Sequence, residues 1–399
     1  MDIPEKLREL LFGNVVEGLQ YFCLERWQSL HENRASIVLS ESGVHPLTLL
    51  ELEEYGVDIH AVLEREIGYG WTRGSPELRE RISELYGGAV GVEDVVITNG
   101  SAEANFITVL STISRDGTVV VDVPNYMQVP GLLKWIGAKV IYLWREPPDW
   151  RFPVEKAIEL MERYRPKAVF VTDPNNPTGS YMDTKELKML VEEAERRGTL
   201  LIFDEVYWGS ERSGSRSSAI QVSDGENTIS ISGLSKVYGL PGLRIGWIAT
   251  RCQRCVEKML GLKDYTSIAP SILSDYIASK ILTQNNVDRL RRRARWIVEK
   301  NIEILKNELT HRGNIIEVYW PSAGAFIWAK TPWTKHTLEL AYTLYERYGV
   351  LINPGECFEI KGYLRIGIGQ KPEVFGRNIR YTLNSIEEFQ RKYYNRNIC

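Results

Sequence analysis

The feature that most restricts the fold is a train of short apolar runs between residues 95 and 249, at 95–98, 118–123, 139–143, 168–172, 200–203, 228–232 and 246–249. Several are apolar without alternation, the pattern of strands buried on both faces. Helical stretches separate many of them. One begins at Asp183, with Glu186 three residues on as a capping box. It carries Leu187, Leu190, Val191 and Ala194 on one face and stops at Gly198. Such strand–helix alternation predicts an α/β fold with a mainly parallel sheet.

Outside that region the texture changes. Leu7, Leu10, Leu11, Val15, Leu19 and Phe22 recur at three and four, so residues 1–35 read as amphipathic helix. A long helix is expected over 286–309, followed by β-like pieces at 315–319, 326–330, 349–352 and 363–368. Helix plus small sheet predicts a second, smaller α+β domain. The expected division is an N-terminal segment over 1–44 joined to the small domain, a large domain over 45–275 and a small C-terminal domain over 276–399. The serine-rich piece 210–218 reads as a surface loop.

With 49 Lys and Arg against 52 Asp and Glu, the net charge of −3 gives no global pull toward nucleic acid or anionic membrane. The arginine-rich run 289–296 reads as the solvated face of an amphipathic helix, so no nucleic-acid partner is expected. The start, MDIPEKLREL, has no apolar core of signal-peptide length, and no run approaches the roughly 18 apolar residues of a spanning helix. Cys23, Cys252, Cys255, Cys357 and Cys399 form an odd, sparse set, which fits a reducing cytoplasm rather than a disulfide framework. Cys252 and Cys255 make a CxxC without a second pair at zinc spacing, so no metal site is expected and the two read as thiols at a helix start.

Chemistry concentrates in a few motifs. The longest is Gly233-Leu-Ser-Lys236-Val-Tyr-Gly-Leu-Pro-Gly-Leu-Arg244-Ile-Gly246. Its lysine follows a strand, at the sheet edge where α/β ligand sites form. Small neighbours leave the amine accessible, and Arg244 can return to hold a fixed anion. Phe203-Asp204-Glu205-Val206-Tyr207 ends an apolar strand on a carboxylate, which is costly without a partner. Asp173-Pro-Asn-Asn176-Pro-Thr-Gly179 carries turn signals after a buried strand. In Thr98-Asn-Gly100-Ser101-Ala102 a strand runs through glycine into a helix, which aims backbone N–H groups at an anion.

These stretches resemble the motifs of the class I/II, fold-type-I aminotransferases, which use pyridoxal 5′-phosphate (PLP). At least seven motifs over roughly residues 40–370 match in order. The resemblance implies that Lys236 forms a Schiff base with the cofactor aldehyde and, once freed, moves protons. It implies that Asp204 pairs with the protonated pyridine nitrogen, and that Asn176 and Tyr207 bond the phenolic oxygen. Arg244, Ser235 and the Ser101 and Ala102 amides are implied to hold the phosphate. Val123-Pro-Asn-Tyr126 implies Tyr126 over the pyridine ring. Tyr69, in Tyr-x4-Gly-x3-Leu-Arg, is implied to reach the phosphate of the neighbouring subunit, and so implies a homodimer. Pro354-Gly355-x-x-Phe358 and Arg365 match the small-domain pattern whose arginine pairs with the substrate α-carboxylate.

Segment 40–46, with Gly43, is expected on the substrate side, although it departs from the family consensus. Gly233 also departs, where many relatives carry serine. Trp71 and Trp208 point to an aromatic-walled pocket. The expected activity is amino transfer between an L-amino acid and a 2-oxo acid. The alternative is a PLP-dependent lyase or cyclase on the same scaffold, similar to aminocyclopropane-carboxylate or capreomycidine synthases. A PLP-bound transcription regulator is set aside, because about 40 residues before Gly43 are too few for a winged helix and linker.

Overall fold

The computed structural model describes residues 3–397. Its centre is a sheet of seven strands: β1 (Val95–Asn99), β2 (Thr118–Val123), β3 (Lys139–Trp144), β4 (Ala168–Thr172), β5 (Leu200–Asp204), β6 (Thr228–Gly233) and β7 (Ile245–Ala249), in spatial order β1-β7-β6-β5-β4-β2-β3. Only β7 is antiparallel to its neighbours. The strands β4 and β5 are buried at every position, which explains their unbroken apolar runs. The helix Thr184–Arg197 forms as its signals predict. Asp183 Oδ1 accepts from Lys185 N at 2.8 Å and Glu186 N at 2.9 Å, and Glu186 Oε2 accepts from Asp183 N at 2.8 Å. Leu187, Leu190, Val191 and Ala194 are all buried against the sheet, each larger side chain contributing about 1.5–3 kcal/mol of transfer free energy.

A second sheet is antiparallel, ordered Glu317–Tyr319, Phe326–Lys330, Tyr363–Gly367 and Asn353–Pro354. The helices Gln284–Leu309, Thr337–Tyr348 and Pro372–Asn397 pack with it. Arg365 lies in mid-strand, opposite Trp328 on one side and Asn353 on the other.

Four expectations are corrected. Residues 1–35 are not one helix. Glu5–Phe12 and Cys23–His31 are helical, separated by a hairpin of Asn14–Val16 and Leu19–Gln20. Gly18, at φ +76°, supplies the left-handed turn that a helix cannot contain. The serine-rich piece 210–218 is exposed only in its middle. Arg216 is buried and pairs with Glu205 Oε1 at 2.8 Å and Asp173 Oδ2 at 3.5 Å, so the loop is anchored by buried charge.

The arginine run is not simply solvated. Arg289 donates to Glu54 O (2.7 Å), Arg293 to His45 O (2.8 Å) and Arg295 to Gly209 O (3.0 Å), and Arg291 lies over the Trp208 ring at 4.5 Å. These side chains clamp the long helix to loops from earlier in the chain. Cysteines pair as Cys23–Cys357 and Cys252–Cys255, contrary to the thiol reading. The first bridge joins the Cys23–His31 helix to the Gly355–Phe358 turn, contacts that only tertiary folding creates. Cys399 lies outside the described residues.

Candidate active site

The sheet topology explains why distant motifs meet. β1, β2, β4, β5 and β6 run in one direction and end on one edge. Ser101, Tyr126, Asn176, Asp204 and Lys236 sit at or just beyond those ends. Because β7 alone runs the other way, Arg244, the residue before it, starts on that same edge. A cavity of about 300 Å³ there is lined by Ser101, Ala102, Tyr126, Asn176, Asp204, Tyr207, Ser235, Lys236, Arg244 and Arg365.

Asp204 is buried and makes no ion pair among the described residues. Its Oδ2 accepts from Asn105 Nδ2 at 3.0 Å and its Oδ1 from Val206 N at 3.3 Å. Burial pushes its carboxyl up to about 6, against the pull of the Asn105 and Val206 hydrogen bonds and the Lys236 charge. A carboxylate in that state is matched by a cation placed in the cavity. Arg365 is also buried, with its guanidinium held below the usual range by desolvation. Its Nη1 donates to Asn176 Oδ1 at 2.8 Å and its Nη2 to Ser40 O at 2.7 Å, which fixes the planar fork. Tyr207 donates to Ser42 Oγ at 3.0 Å, and Tyr126 donates to Glu25 Oε1 at 2.7 Å.

At the anion end, Gly100 has φ +80° and the helix Ser101–Thr112 begins directly after it. A Cβ on Gly100 would collide with Arg244 Nη2, and one on Gly246 would meet Ser101 N at 2.5 Å. The backbone is thus packed so that the helix N-terminus and the Arg244 guanidinium share one spot, a cradle for a phosphate. Gly233 has a local reason too. It stands opposite Gly246 in the β6–β7 ladder, and its Cβ would lie 3.0 Å from Ile245 O. This cradle and the unpaired Asp204 carboxylate fit a phosphorylated, cationic aromatic ring such as PLP. Gly100→Ala should therefore raise the PLP dissociation constant at least about tenfold, read by fluorescence titration of cofactor-free protein; unchanged affinity would contradict the cradle.

Gly43 and Trp208 do not line this cavity, and Tyr69, expected to serve the partner's site, faces away from it. Tyr69, 89% exposed, lies with Trp71, Pro270 and Tyr276 around a separate cavity of about 530 Å³. Gly43 backs onto the lysine loop instead of lining the site; its Cβ would lie 2.8 Å from Ser235 O. Nor does Trp208 wall the pocket. It is buried, stacked on Tyr86 at 5.4 Å, and donates to Arg216 O at 3.0 Å.

The motifs had not assigned roles to several residues that matter. Asn105 holds Asp204 from one turn into the helix after β1. Asp122, Asn125, Arg145 and Asn175 form a buried network. Arg145 Nε donates to Asp122 Oδ2 (2.8 Å), Asn125 Nδ2 to Asp122 Oδ1 (2.7 Å) and Asn175 Nδ2 to Pro124 O (3.0 Å). It ties the loops that carry Tyr126 and Asn176. The available signal was Asp122 itself, an acid inside the apolar run of β2.

Residues 60–377 match the family model for aminotransferase class I and II, and the chain belongs to that family. It is a PLP-dependent aminotransferase. The (5-formylfuran-3-yl)methyl phosphate transaminase of Methanocaldococcus jannaschii is 29% identical over 84% of this chain and 86% of its own. The histidinol-phosphate aminotransferase of Caldanaerobacter subterraneus is 30% identical over 73% of this chain and 77% of its own. A PLP-dependent aminotransferase structure from Streptococcus suis superposes with a TM-score of 0.84 at 30% identity, over 94% of this chain and 98% of that one.

Proposed function

We propose that Lys236, Asp204, Asn176, Tyr207, Arg244 and Arg365 act together to move an amino group from an L-amino acid to a 2-oxo acid. The observation that carries this reading is the convergence of these six residues on one cavity from four separate stretches of chain. When bound, PLP supplies a reactive aldehyde and a ring that accepts electrons. Arg244 and the Ser101 and Ala102 amides hold the phosphate at the helix N-terminus. Ser235, beside them, adds a hydroxyl. Asp204 holds the ring nitrogen positively charged. Asn176 and Tyr207 present polar groups to the phenolic oxygen, and Tyr126 covers the ring. Arg365 grips the substrate α-carboxylate with both fork nitrogens and orients Cα. Lys236 Nζ would take the proton from the substrate Cα and carry it for return.

The test is a half-reaction. Purified holoenzyme is mixed with single amino acids, the absorbance of the bound cofactor is followed, and the 2-oxo acid formed is identified. Release of an alkene or a cyclised amino acid in place of a 2-oxo acid would overturn the reading.

The division into a large and a small domain near residue 275 is supported by the two sheets lying on either side of it. We place the enzyme in the cytoplasm, a reading supported by its aminotransferase family and against which the Cys23–Cys357 and Cys252–Cys255 bridges stand. No helix among the described residues is long and apolar enough to cross a membrane.

The working form is proposed to be a homodimer. Support comes from Tyr69 and its surroundings, where Leu63, Ile67, Trp71 and Tyr265 are all more than 60% exposed. An isologous interface over this patch would carry Tyr69 into the partner's cavity. Mixing Tyr69→Phe with Lys236→Ala should then give activity above either parent, because a hybrid dimer holds one doubly defective site and one intact site. A fully active monomer by light scattering would end the proposal.

A further inference from the structure

The wall of the active-site cavity opposite the sheet is acidic. Glu25, Gln28 and Glu32 recur at three and four along the Cys23–His31 helix and its end, so they share one face, and Glu41 faces the same space from the next loop. None of the three glutamates makes an ion pair among the described residues. Glu25 accepts only the Tyr126 hydroxyl, and Glu32 and Glu41 have no side-chain hydrogen bond. Gln28 is a stronger sign. It is only 8% exposed, lines the cavity, and its side-chain amide has no partner among the described residues. The amide opens onto the cavity with no protein partner, so it is free to bond a ligand there.

The charges point the same way. Burial holds the Glu32 carboxyl above the usual range, with the Glu41 and Glu25 charges adding to it. Like charges at close range are relieved by a cation among them. The only arginines that line the cavity, Arg244 and Arg365, are bonded elsewhere: Arg365 to Asn176 and Ser40, and Arg244 to Pro241 O. A substrate carboxylate on Arg365 would use up the remaining positive charge on that side. Lys236, the remaining cationic lining group, is committed to the cofactor aldehyde, so a cation on the substrate would complete this wall.

We propose that the Glu25–Gln28–Glu32–Glu41 wall recognises a second positive charge, so that the amino donor is an L-amino acid with a guanidinium or ammonium at its side-chain end. This rests on the aminotransferase reading of the cavity. The α-carboxylate occupies Arg365, the α-amino group faces Lys236, and the distal cation lies against the glutamates with Gln28 accepting one of its N–H groups. The same wall disfavours aspartate and glutamate, whose side-chain carboxylates would face three like charges.

The probe pairs are L-arginine with L-citrulline and L-lysine with L-norleucine, each a cation and a neutral near-isostere. Half-saturation concentrations are read from the cofactor absorbance of wild-type holoenzyme. At least one cation should be favoured over its neutral partner by about tenfold or more, and which pair responds tells guanidinium from ammonium. In Glu32→Gln/Glu41→Gln that ratio should fall to within about threefold. The ratio is taken within each protein, so a general loss of activity cancels. Equal use of charged and neutral partners by wild type, or a preference that survives in the double variant, overturns the proposal while amino transfer stands. If no amino acid of any kind alters the cofactor absorbance, the aminotransferase reading itself has failed and takes the proposal with it.

Discussion

Lys236→Ala should reduce turnover to background, a loss of at least about 10⁴-fold. Lys236 follows β6 at the rim of the cavity and is its only lysine. Its amine is asked to do two things: hold the cofactor covalently and carry the Cα proton. No neighbour can replace it. The other cationic lining groups are Arg244 and Arg365, which do not deprotonate at working pH. The variant should still retain cofactor through Arg244 and the Ser101–Ala102 amides, so loss of binding and loss of chemistry separate. Borohydride treatment of the wild type should fix cofactor on the peptide containing Lys236, found by mass. A label on any other peptide, or substantial turnover by the variant, would remove Lys236 from its role.

Much of this architecture was legible because strand and helix signals are local. The apolar runs, the Asp183 cap and the Gly198 stop each depend on a few neighbouring residues, and the sheet formed around them. The motifs also placed their residues, because each follows a strand and the strands share an edge. What was not legible depends on contacts far apart in sequence. Nothing near Arg289 or Arg293 announces that Glu54 O and His45 O await them. Cys23 and Cys357 are 334 residues apart. Trp208 reads in sequence as part of an aromatic-walled pocket, yet its ring turns toward Tyr86 and the Arg216 backbone. The acidic wall was missed for a related reason. Its helix reads in sequence as part of one long amphipathic segment, whereas in the fold it is a separate helix after the Asn14–Gln20 hairpin, with Glu25 and Glu32 lining the cavity.

Asp204→Asn should pull rate and stability in opposite directions. With the cofactor bound, the carboxylate holds the ring nitrogen protonated. The neutral amide cannot, so the electron sink weakens. The expected loss is on the order of 10²–10⁴ in rate, the scale seen when a buried electrostatic partner is removed. Without the cofactor the same charge is a burden, since Asp204 is buried and has no ion pair among the described residues. Its pKa is raised from 3.8 to about 6, a shift equivalent to ~3 kcal/mol. For an acid with a raised folded pKa, the destabilisation is fully present above about 6 and fades as pH falls toward the ordinary value. Cofactor-free Asp204→Asn should therefore be more stable than cofactor-free wild type at pH 7.5, and the gap should close by about pH 4. Urea unfolding of both proteins across that range measures it. Near wild-type turnover would show that another group charges the ring. A gap that does not change with pH would show that Asp204 is ionised at no cost in the folded chain, and that the buried carboxylate is not waiting for a cation.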